Sequence, residues 1–457
     1  MSSEETSTKM EVEHIDDDEE EEDASSSSSS EEEEENEEEE EVKKEVFIPG
    51  TSLAEEDGTE LEMDHSAYLV YHQASLGPPC LSFDVVIDDI ENENRADNYP
   101  LTMYGVAGSQ ASKASSNSII LFKMTNLHST SSSKKSGEDY DDSDEEEEET
   151  PPEKMPQLRI SSIKHHGAIN RIRYETLGSN PVAAVWSEKG SVSIWNLRLC
   201  LQKLEESPTA DWYKDPGKDP LYKFAGHSAE GYALDWSPIS KGILASGDTR
   251  SRIHIWRPDE TGSTWNVDQR SLIGHRDSVE DIQWSPNEAN VMASCSTDKS
   301  IRIWDVRARP DKACMLTVDK AHQSDVNVIN WNRSEPFIVS GGDDGAIKVW
   351  DLRHIDKRTP VATFKHHTQP VTSVEWHPTD ATVFASAGED DQVVIWDLSV
   401  EKDDVVKDAK VADLPPQLLF IHQGLEDVKE IHWHKQIPGL MMATSHTGLD
   451  VFRTISV

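Results

Sequence analysis

Basic residues and long apolar runs are scarce in this sequence of 457 residues. It contains 43 Lys and Arg against 88 Asp and Glu, so its formal net charge is −45. This imbalance argues against binding to bare nucleic acid, because a phosphate backbone is neutralised by Lys and Arg. The sequence also lacks an apolar run of about 18 residues and a basic-then-apolar leader. These absences predict a soluble protein that does not span a membrane and is not secreted.

Motifs that carry chemistry are also missing. The four cysteines show no CxxC or Cys/His ligand spacing, which fits a reducing, intracellular compartment. No phosphate-binding glycine loop or nucleophile elbow occurs in a suitable context. His432 and His434 flank Trp433 without an evident third ligand, so they do not indicate a metal site. We therefore expect no enzymatic activity, no cofactor and no bound metal.

The sequence does contain a repeated unit, clearest from Gly274 to Asp305. Three short segments rich in β-branched and aromatic residues are separated there by turn-forming residues, which is typical of a β-meander. His275 precedes the central Trp284 by nine residues. Similar units occur at Phe224–Arg257, Ala321–Asp351 and Lys365–Asp397, and weaker ones at Cys80–Met124, His165–Asn196 and His422–Arg453.

Each unit closes on an aromatic residue. These are Phe122, Trp195, Trp256, Trp304, Trp350, Trp396 and Phe452. Seven units, with a spacing of 46 residues in the most regular part, predict an all-β, seven-bladed β-propeller with four strands in each blade. The pattern resembles the WD-repeat family over residues 80–457.

A polar set also recurs in three successive units. It comprises His275, Ser294, Asp298 and Trp304; His322, Ser340, Asp344 and Trp350; and His367, Ser386, Asp390 and Trp396. A hydrolase triad would occur once rather than in every repeat. The resemblance to WD-repeat proteins implies that each set forms a buried hydrogen-bond chain from strand to turn, which fixes the register of its blade.

Acidic residues are concentrated in two segments. Residues 1–44 form an acidic and serine-rich tail, and residues 129–156 form an acidic insertion within the propeller. Both compositions predict disorder, because neither segment contains enough apolar surface to offset the entropy of ordering. Ser30 and Ser143 each precede acidic residues and are candidate phosphorylation sites.

Residues 45–79 are expected to lead into the propeller. Val46 to Pro49 could form a strand that completes the last blade and so removes an exposed edge. From Asp64 to Leu76 the spacing of apolar residues predicts a short amphipathic helix, which Pro78 and Pro79 would end. The first strand of the propeller would then begin at Cys80.

A narrower resemblance rests on the acidic tail, on SAYLVYHQASLGPPCLSFDVVID (Ser66 to Asp88) and on VFRTISV (Val451 to Val457). These segments resemble the glutamate-rich WD-repeat family of ribosome-assembly factors, within the histone-chaperone branch related to the retinoblastoma-binding proteins. The resemblance implies a monomeric chaperone for a newly made basic protein of the large ribosomal subunit, with histone binding, in the nucleus and nucleolus. It also implies that Tyr68, Leu69, Tyr71 and His72 line a groove for a basic partner helix.

Two alternative functions remain open. One is a histone chaperone dedicated to chromatin. The other rests on Arg307 and Arg353, which end consecutive WDxR motifs. Propellers that act as substrate receptors of cullin-type ubiquitin ligases often carry this pair, with the arginines contacting the ligase adaptor.

Overall fold

The computed structural model describes residues 63–88, 95–130, 155–206, 219–260, 262–401 and 414–457. Within these ranges 28 β-strands form seven antiparallel sheets of four strands each. The sheets are the blades of a propeller, as the repeats predict. The predicted tail, Val46 to Pro49, Ser30, Ser143 and residues 131–154 of the acidic insertion lie outside the described residues.

Blades 1 to 3 comprise the following strands. Blade 1 contains β2 (Cys80–Val86), β3 (Leu101–Ser109), β4 (Ser118–Leu127) and β5 (Gln157–Lys164). Blade 2 contains β6 (Ile169–Leu177), β7 (Asn180–Ser187), β8 (Ser191–Asn196) and β9 (Tyr222–Phe224). Blade 3 contains β10 (Leu234–Trp236), β11 (Leu244–Gly247), β12 (Ile253–Pro258) and β13 (Trp265–Val267).

Blades 4 to 7 follow in the same order. Blade 4 contains β14 (Val279–Trp284), β15 (Val291–Ser296), β16 (Ile301–Asp305) and β17 (Cys314–Val318). Blade 5 contains β18 (Val326–Trp331), β19 (Phe337–Gly342), β20 (Ala346–Asp351) and β21 (Ala362–Lys365). Blade 6 contains β22 (Val371–Trp376), β23 (Val383–Gly388), β24 (Val393–Asp397) and β25 (Leu418–His422). Blade 7 contains β26 (Glu430–Trp433), β27 (Leu440–Thr444), β28 (Leu449–Thr454) and β1 (Tyr68–Ala74).

Helical structure is minor in the described part of the chain. One α-helix, α1 (Arg198–Glu205), follows blade 2's third strand. Short 3₁₀ helices occur at His65–Ala67, Arg95–Asp97, Ala114–Ser116, Pro310–Lys312 and Leu352–Lys357. No helix among the described residues is long and apolar enough to cross a membrane.

The predicted helix from Asp64 to Leu76 is wrong beyond its first turn. Only His65–Ala67 is helical, and the Asp64 carboxylate caps it by accepting the Ser66 N–H at 2.9 Å. The chain then continues as β1, in which Tyr68 and Val70 are buried and the residue between them is partly exposed. This two-residue alternation suits a strand, and pairing with β28 satisfies the backbone groups on the side that faces β28. The propeller therefore extends back to Tyr68 and closes through β1.

The repeated central tryptophans join neighbouring blades. The first strand of each blade contacts the first strand of the next, and β26 meets β2 to complete the ring. In four blades the tryptophan indole N–H donates to a backbone carbonyl of the preceding blade at 3.0–3.2 Å: Trp236, Trp284, Trp376 and Trp433. The apolar core is accordingly divided into clusters that lie between blades, such as the one joining Ile255 of blade 3 to Met292 of blade 4.

Candidate functional site

The recurring polar residues form closed hydrogen-bond chains in blades 4, 5 and 6. In blade 4, His275 Nδ1 lies 3.0 Å from Asp298 and its Nε2 lies 2.7 Å from Ser294 Oγ. The Trp304 indole donates to the same Oγ at 2.7 Å. The corresponding contacts in blade 5 join His322, Ser340, Asp344 and Trp350, and those in blade 6 join His367, Ser386, Asp390 and Trp396, all at 2.8–2.9 Å.

These chains are structural rather than reactive. Ser294, Ser340 and Ser386 are fully buried, and each hydroxyl already contacts an indole and an imidazole. Burial alone would raise the pKa of Asp298, but the hydrogen bond and charge of His275 and the Ser300 hydroxyl bring this pKa well below its ordinary value. The carboxylate therefore stays ionised and holds its turn against the strand.

Blade 3 contains a fourth chain that the sequence prediction missed. His227 lies 3.0 Å from Asp248 and 2.8 Å from Ser246 Oγ, which also accepts the Trp256 indole N–H at 2.9 Å. Asp248 lies two residues closer to its serine than Asp298 does in blade 4. Matching His, Ser and Trp alone at the blade 4 spacing would have found it.

A buried carboxylate connects three blades where the ring closes. Glu430 of blade 7 is 1% exposed. Its Oε1 accepts Arg171 Nη1 at 2.6 Å and Arg173 Nη2 at 2.7 Å, both from blade 2. Its Oε2 accepts the Phe83 N–H of blade 1 at 2.9 Å. Although burial alone would raise the pKa of Glu430, the two guanidinium groups hold it well below its usual range.

The pKa values of the two histidines beside Trp433 are shifted in opposite directions. His432 lies 3.0 Å from Glu375, and the charges of Glu375 and Glu430 outweigh burial and raise its pKa to about 9. His434 Nδ1 accepts two backbone N–H groups of the following turn, and burial lowers its pKa to about 3. No group of three or more potential metal ligands occurs in the described parts of the chain.

The residues expected to lie on a short helix and to line a groove for a partner helix lie on β1 instead. The Tyr68 hydroxyl is 2.7 Å from His422 Nδ1, and Tyr71 donates to Asp450 at 3.1 Å. Burial and the Asp450 charge raise the pKa of both phenols well above the ordinary value. These two side chains therefore hold the closing strand in blade 7, and Leu69 lies half-buried beside them.

The start of the acidic insertion is attached to the same strand. The Thr130 hydroxyl donates to the Tyr68 carbonyl at 2.6 Å, and His72 Nε2 lies 3.2 Å from the His128 carbonyl. Residue 131, where the undescribed part of the insertion begins, therefore follows directly from a contact with β1. The described part of the insertion thus ends beside β1 of blade 7.

Carboxylates also gather at the upper face, by which we mean the end where the first strand of each blade begins. Glu280 lies on β14, Asp325 directly precedes β18, and Asp343 directly follows β19. Burial raises the pKa of Glu280, and the Asp325 and Asp343 charges raise it further against the opposing charge of Arg171. Burial and the neighbouring Asp343 and Asp277 also raise the pKa of Asp325. We call Asp277, Glu280, Asp325 and Asp343 the acidic mouth.

Arg307 and Arg353 lie on the opposite, lower face. Each follows the third strand of its blade. Its Nε and Nη2 donate hydrogen bonds to the carboxylate of the aspartate two residues earlier, at 2.7–2.9 Å for the shortest contacts. Their side chains remain 66% and 59% exposed. The two arginines are therefore accessible on consecutive blades, although they lie on a different face from the acidic mouth.

Comparison with known proteins supports both the fold and the narrower resemblance. Residues 266–305, 313–351 and 358–397 match the family model described as WD domain, G-beta repeat. Residues 58–128 match the family model of histone-binding protein RBBP4, which also covers a component of the CAF1 complex.

Three relatives align over nearly the whole chain. Protein HEAT STRESS TOLERANT DWD 1 of Arabidopsis thaliana is 40% identical over 91% of this chain and 92% of its own length. Glutamate-rich WD repeat-containing protein 1 of Dictyostelium discoideum is 42% identical, covering 90% of this chain and 85% of the relative. Ribosome assembly protein rrb1 of Schizosaccharomyces pombe is 37% identical, covering 90% and 84% respectively. This chain therefore belongs to the glutamate-rich WD-repeat protein family.

Proposed function

We propose that this chain is a non-enzymatic chaperone for a newly made, basic protein of the large ribosomal subunit, and that it also binds core histones. The observation that carries the proposal is the acidic mouth, where carboxylates lie on three neighbouring elements of blades 4 and 5. Burial and the charges of neighbouring aspartates raise the pKa of Glu280 and of Asp325, even with Arg171 and Lys299 nearby. A Lys or Arg side chain placed there would relieve this repulsion. The names of the rrb1 and RBBP4-type relatives agree with basic partners of these two kinds.

The acidic segments extend the same chemistry. Residues 1–64 contain 29 Asp and Glu against three Lys, and residues 138–149 add ten acidic residues. A ribosomal protein or histone without its nucleic acid carries unneutralised cations, and a high local density of carboxylates speeds its capture and screens it. Because both segments belong to one chain, one cargo could engage both at a high effective concentration.

The proposed chaperone needs neither a cofactor nor a metal. Release would follow when ribosomal RNA or DNA competes for the same Lys and Arg side chains, so the chain itself would not bind nucleic acid. This exchange belongs in the nucleus and nucleolus, where ribosomal subunits are assembled. The chain would act as a monomer.

Removing charge from the acidic mouth tests the proposal. The variant Glu280→Gln/Asp325→Asn/Asp343→Asn should bind a purified basic ribosomal protein at least about ten-fold more weakly at moderate salt, since each factor of ten requires only about 1.4 kcal/mol. Its matched control is Glu288→Gln/Asp311→Asn/Glu335→Gln, which removes three exposed carboxylates elsewhere. Equal losses in both variants would show that net charge, and not the mouth, determines binding.

Two deletions test the acidic segments. Removing residues 1–44 or 129–156 should weaken binding and reduce its dependence on salt, because fewer counterion-dependent contacts would remain. If neither deletion changes the affinity or the salt dependence, the acidic segments do not contact the cargo.

The identity of the cargo requires a separate measurement. We would purify tagged protein from nuclease-treated extract at moderate salt and identify the bound proteins by mass spectrometry. One stoichiometric large-subunit protein without the rest of the ribosome would support the ribosomal proposal. Core histones as the dominant partners would favour the alternative of a chromatin histone chaperone.

The exposure of Arg307 and Arg353 favours a second candidate function, that of a substrate receptor for a cullin-type ubiquitin ligase. The double variant Arg307→Ala/Arg353→Ala should then lose binding to the purified ligase adaptor while it keeps binding to the basic cargo. Unchanged adaptor binding, or no binding by the unaltered protein, would exclude this candidate.

A further inference from the structure

A groove of about 460 Å³ lies between blades 3 and 4. Its floor is apolar and includes Ile255 of β12, Leu272 and Pro310. Four arginines line it: Arg257, Arg270, Arg307 and Arg309. The groove therefore combines four guanidinium groups with apolar side chains, in a chain whose formal net charge is −45.

Three of these arginines form ion pairs with an aspartate of this chain. Arg270 holds Asp268 through Nε at 3.1 Å and Nη2 at 2.9 Å, and Arg309 holds Asp311 through the same two atoms at 3.1 Å. Arg307 holds Asp305 in the same way. This two-pronged geometry matches a planar carboxylate. Because a guanidinium has five N–H donors, each arginine keeps others for a ligand.

The ion pairs do not close the groove. The side chains of Arg270 and Arg309 are 74% and 76% exposed, and exposed pairs of this kind contribute little to stability. An incoming carboxylate can therefore share or replace the aspartate. Arg257 differs from the other three, because its Nη2 donates to a backbone carbonyl, that of Val306 at 3.3 Å. Among the described residues no carboxylate forms an ion pair with Arg257, so its charge is available to an incoming carboxylate.

An exposed aliphatic side chain borders the groove. Ile273 follows the floor residue Leu272, its backbone N–H donates to the Pro310 carbonyl at 3.1 Å, and it is 65% exposed. Exposed isoleucine beside arginine suits a protein interface, where an apolar anchor is surrounded by polar contacts.

We propose that this groove binds an acidic peptide segment of another protein. An aliphatic side chain of the peptide would cover Ile273, and its carboxylates would contact the outer N–H groups of Arg257, Arg270 and Arg309. A carboxylate fits better than a phosphate, because Asp268, Asp305 and Asp311 remain nearby and repel a dianion more strongly than a single charge. This site is distinct from the acidic mouth and takes a partner of opposite charge.

The test measures fluorescence anisotropy of a short labelled peptide, in which glutamates surround one leucine, on the full-length protein. Arg257→Gln/Arg309→Gln should bind it about ten-fold more weakly, at roughly two- to five-fold for each exposed charge contact. The matched control, Arg333→Gln/Arg358→Gln, removes two other exposed arginines and should bind normally. Ile273→Ser should weaken binding several-fold, whereas Met315→Ser, which changes an exposed methionine on β17, should not.

Three results would overturn the proposal. They are unchanged binding by Arg257→Gln/Arg309→Gln, an equal loss in the arginine control, and competition by a polythymidine oligonucleotide as effective as that by unlabelled peptide. The last result would show a general polyanion site. Binding of the basic cargo by all these variants should remain unchanged, which separates a failure here from a failure of the proposed chaperone function.

Discussion

Replacing Glu430 with glutamine tests whether one buried carboxylate stabilises the closed ring. The substitution preserves shape but removes the negative charge that faces Arg171 and Arg173 at 2.6 and 2.7 Å. Both guanidinium groups are largely buried, with side chains 15% and 11% exposed. Removing one partner of a buried ion pair leaves charge without compensation and typically costs about 3–5 kcal/mol. We expect a loss of that size in the free energy of unfolding.

Equilibrium urea unfolding, followed by tryptophan fluorescence, measures this loss. Glu175→Gln is the matched control, because Glu175 is also buried but pairs with Lys241, whose side chain is 59% exposed. That pair should contribute less than about 1 kcal/mol. Hydrogen exchange at Phe83 provides a local measurement, since its N–H donates to Glu430. An equal effect of the two variants, or unchanged exchange at Phe83, would refute the assigned role.

Three further predictions concern other buried contacts. The pKa of His432 is raised to about 9, so the protonated imidazole should stabilise the fold by roughly 3 kcal/mol below about pH 6.5, and this contribution should be lost as the pH rises to 9. In His432→Gln the free energy of unfolding should therefore depend less on pH between 6.5 and 9. An unchanged pH dependence would contradict the assignment. Ser294→Ala should cost about 1–3 kcal/mol in urea unfolding, because it leaves a buried indole N–H without its acceptor. Ser115→Ala, at an exposed serine, should cost almost nothing. Tyr68→Phe removes the contact with His422 and should cost about 1 kcal/mol, with faster hydrogen exchange in β1 as the local signal.

The repeats could be predicted because their information is local. One unit contains its own turn residues, its alternating strand patterns and the nine-residue interval from His275 to Trp284. Each blade can therefore be recognised in the sequence without reference to the others. The recurrence of the polar residues of blade 4 could be detected for the same reason, whereas their hydrogen bonding was implied by the resemblance to WD-repeat proteins. In blade 3 the position of Asp248 differs from that of Asp298 in blade 4, but the intervals between its histidine, serine and tryptophan are the same as in blade 4.

The closing strand could not be predicted in the same way. Tyr68, Leu69, Tyr71 and His72 have a spacing that also fits one face of a helix, and a short segment satisfies either period. Pairing with β28, more than 370 residues later, decides between them. Local propensity is overridden here by a long-range contact.

The Glu430 cluster was also missed, for a related reason. Arg171 and Arg173 alternate on a strand as exposed residues commonly do, and nothing within blade 2 indicates that both point to a carboxylate 257 to 259 residues away. Only closure of the ring brings blades 7, 1 and 2 together around it. Contacts that depend on closure could not be predicted from the sequence, whereas those within a blade could.

The pairing of β1 with β28 has a consequence for synthesis. β1 leaves the ribosome early, but its partner, Leu449–Thr454, is translated about 375 residues later. At about 5–20 residues per second, the first strand must wait roughly 20 to 75 seconds for it. During that interval six blades can form. β28 has not yet been made, so β1 has no strand to pair with. Translation of Leu449–Thr454 thus sets the time at which the propeller becomes complete.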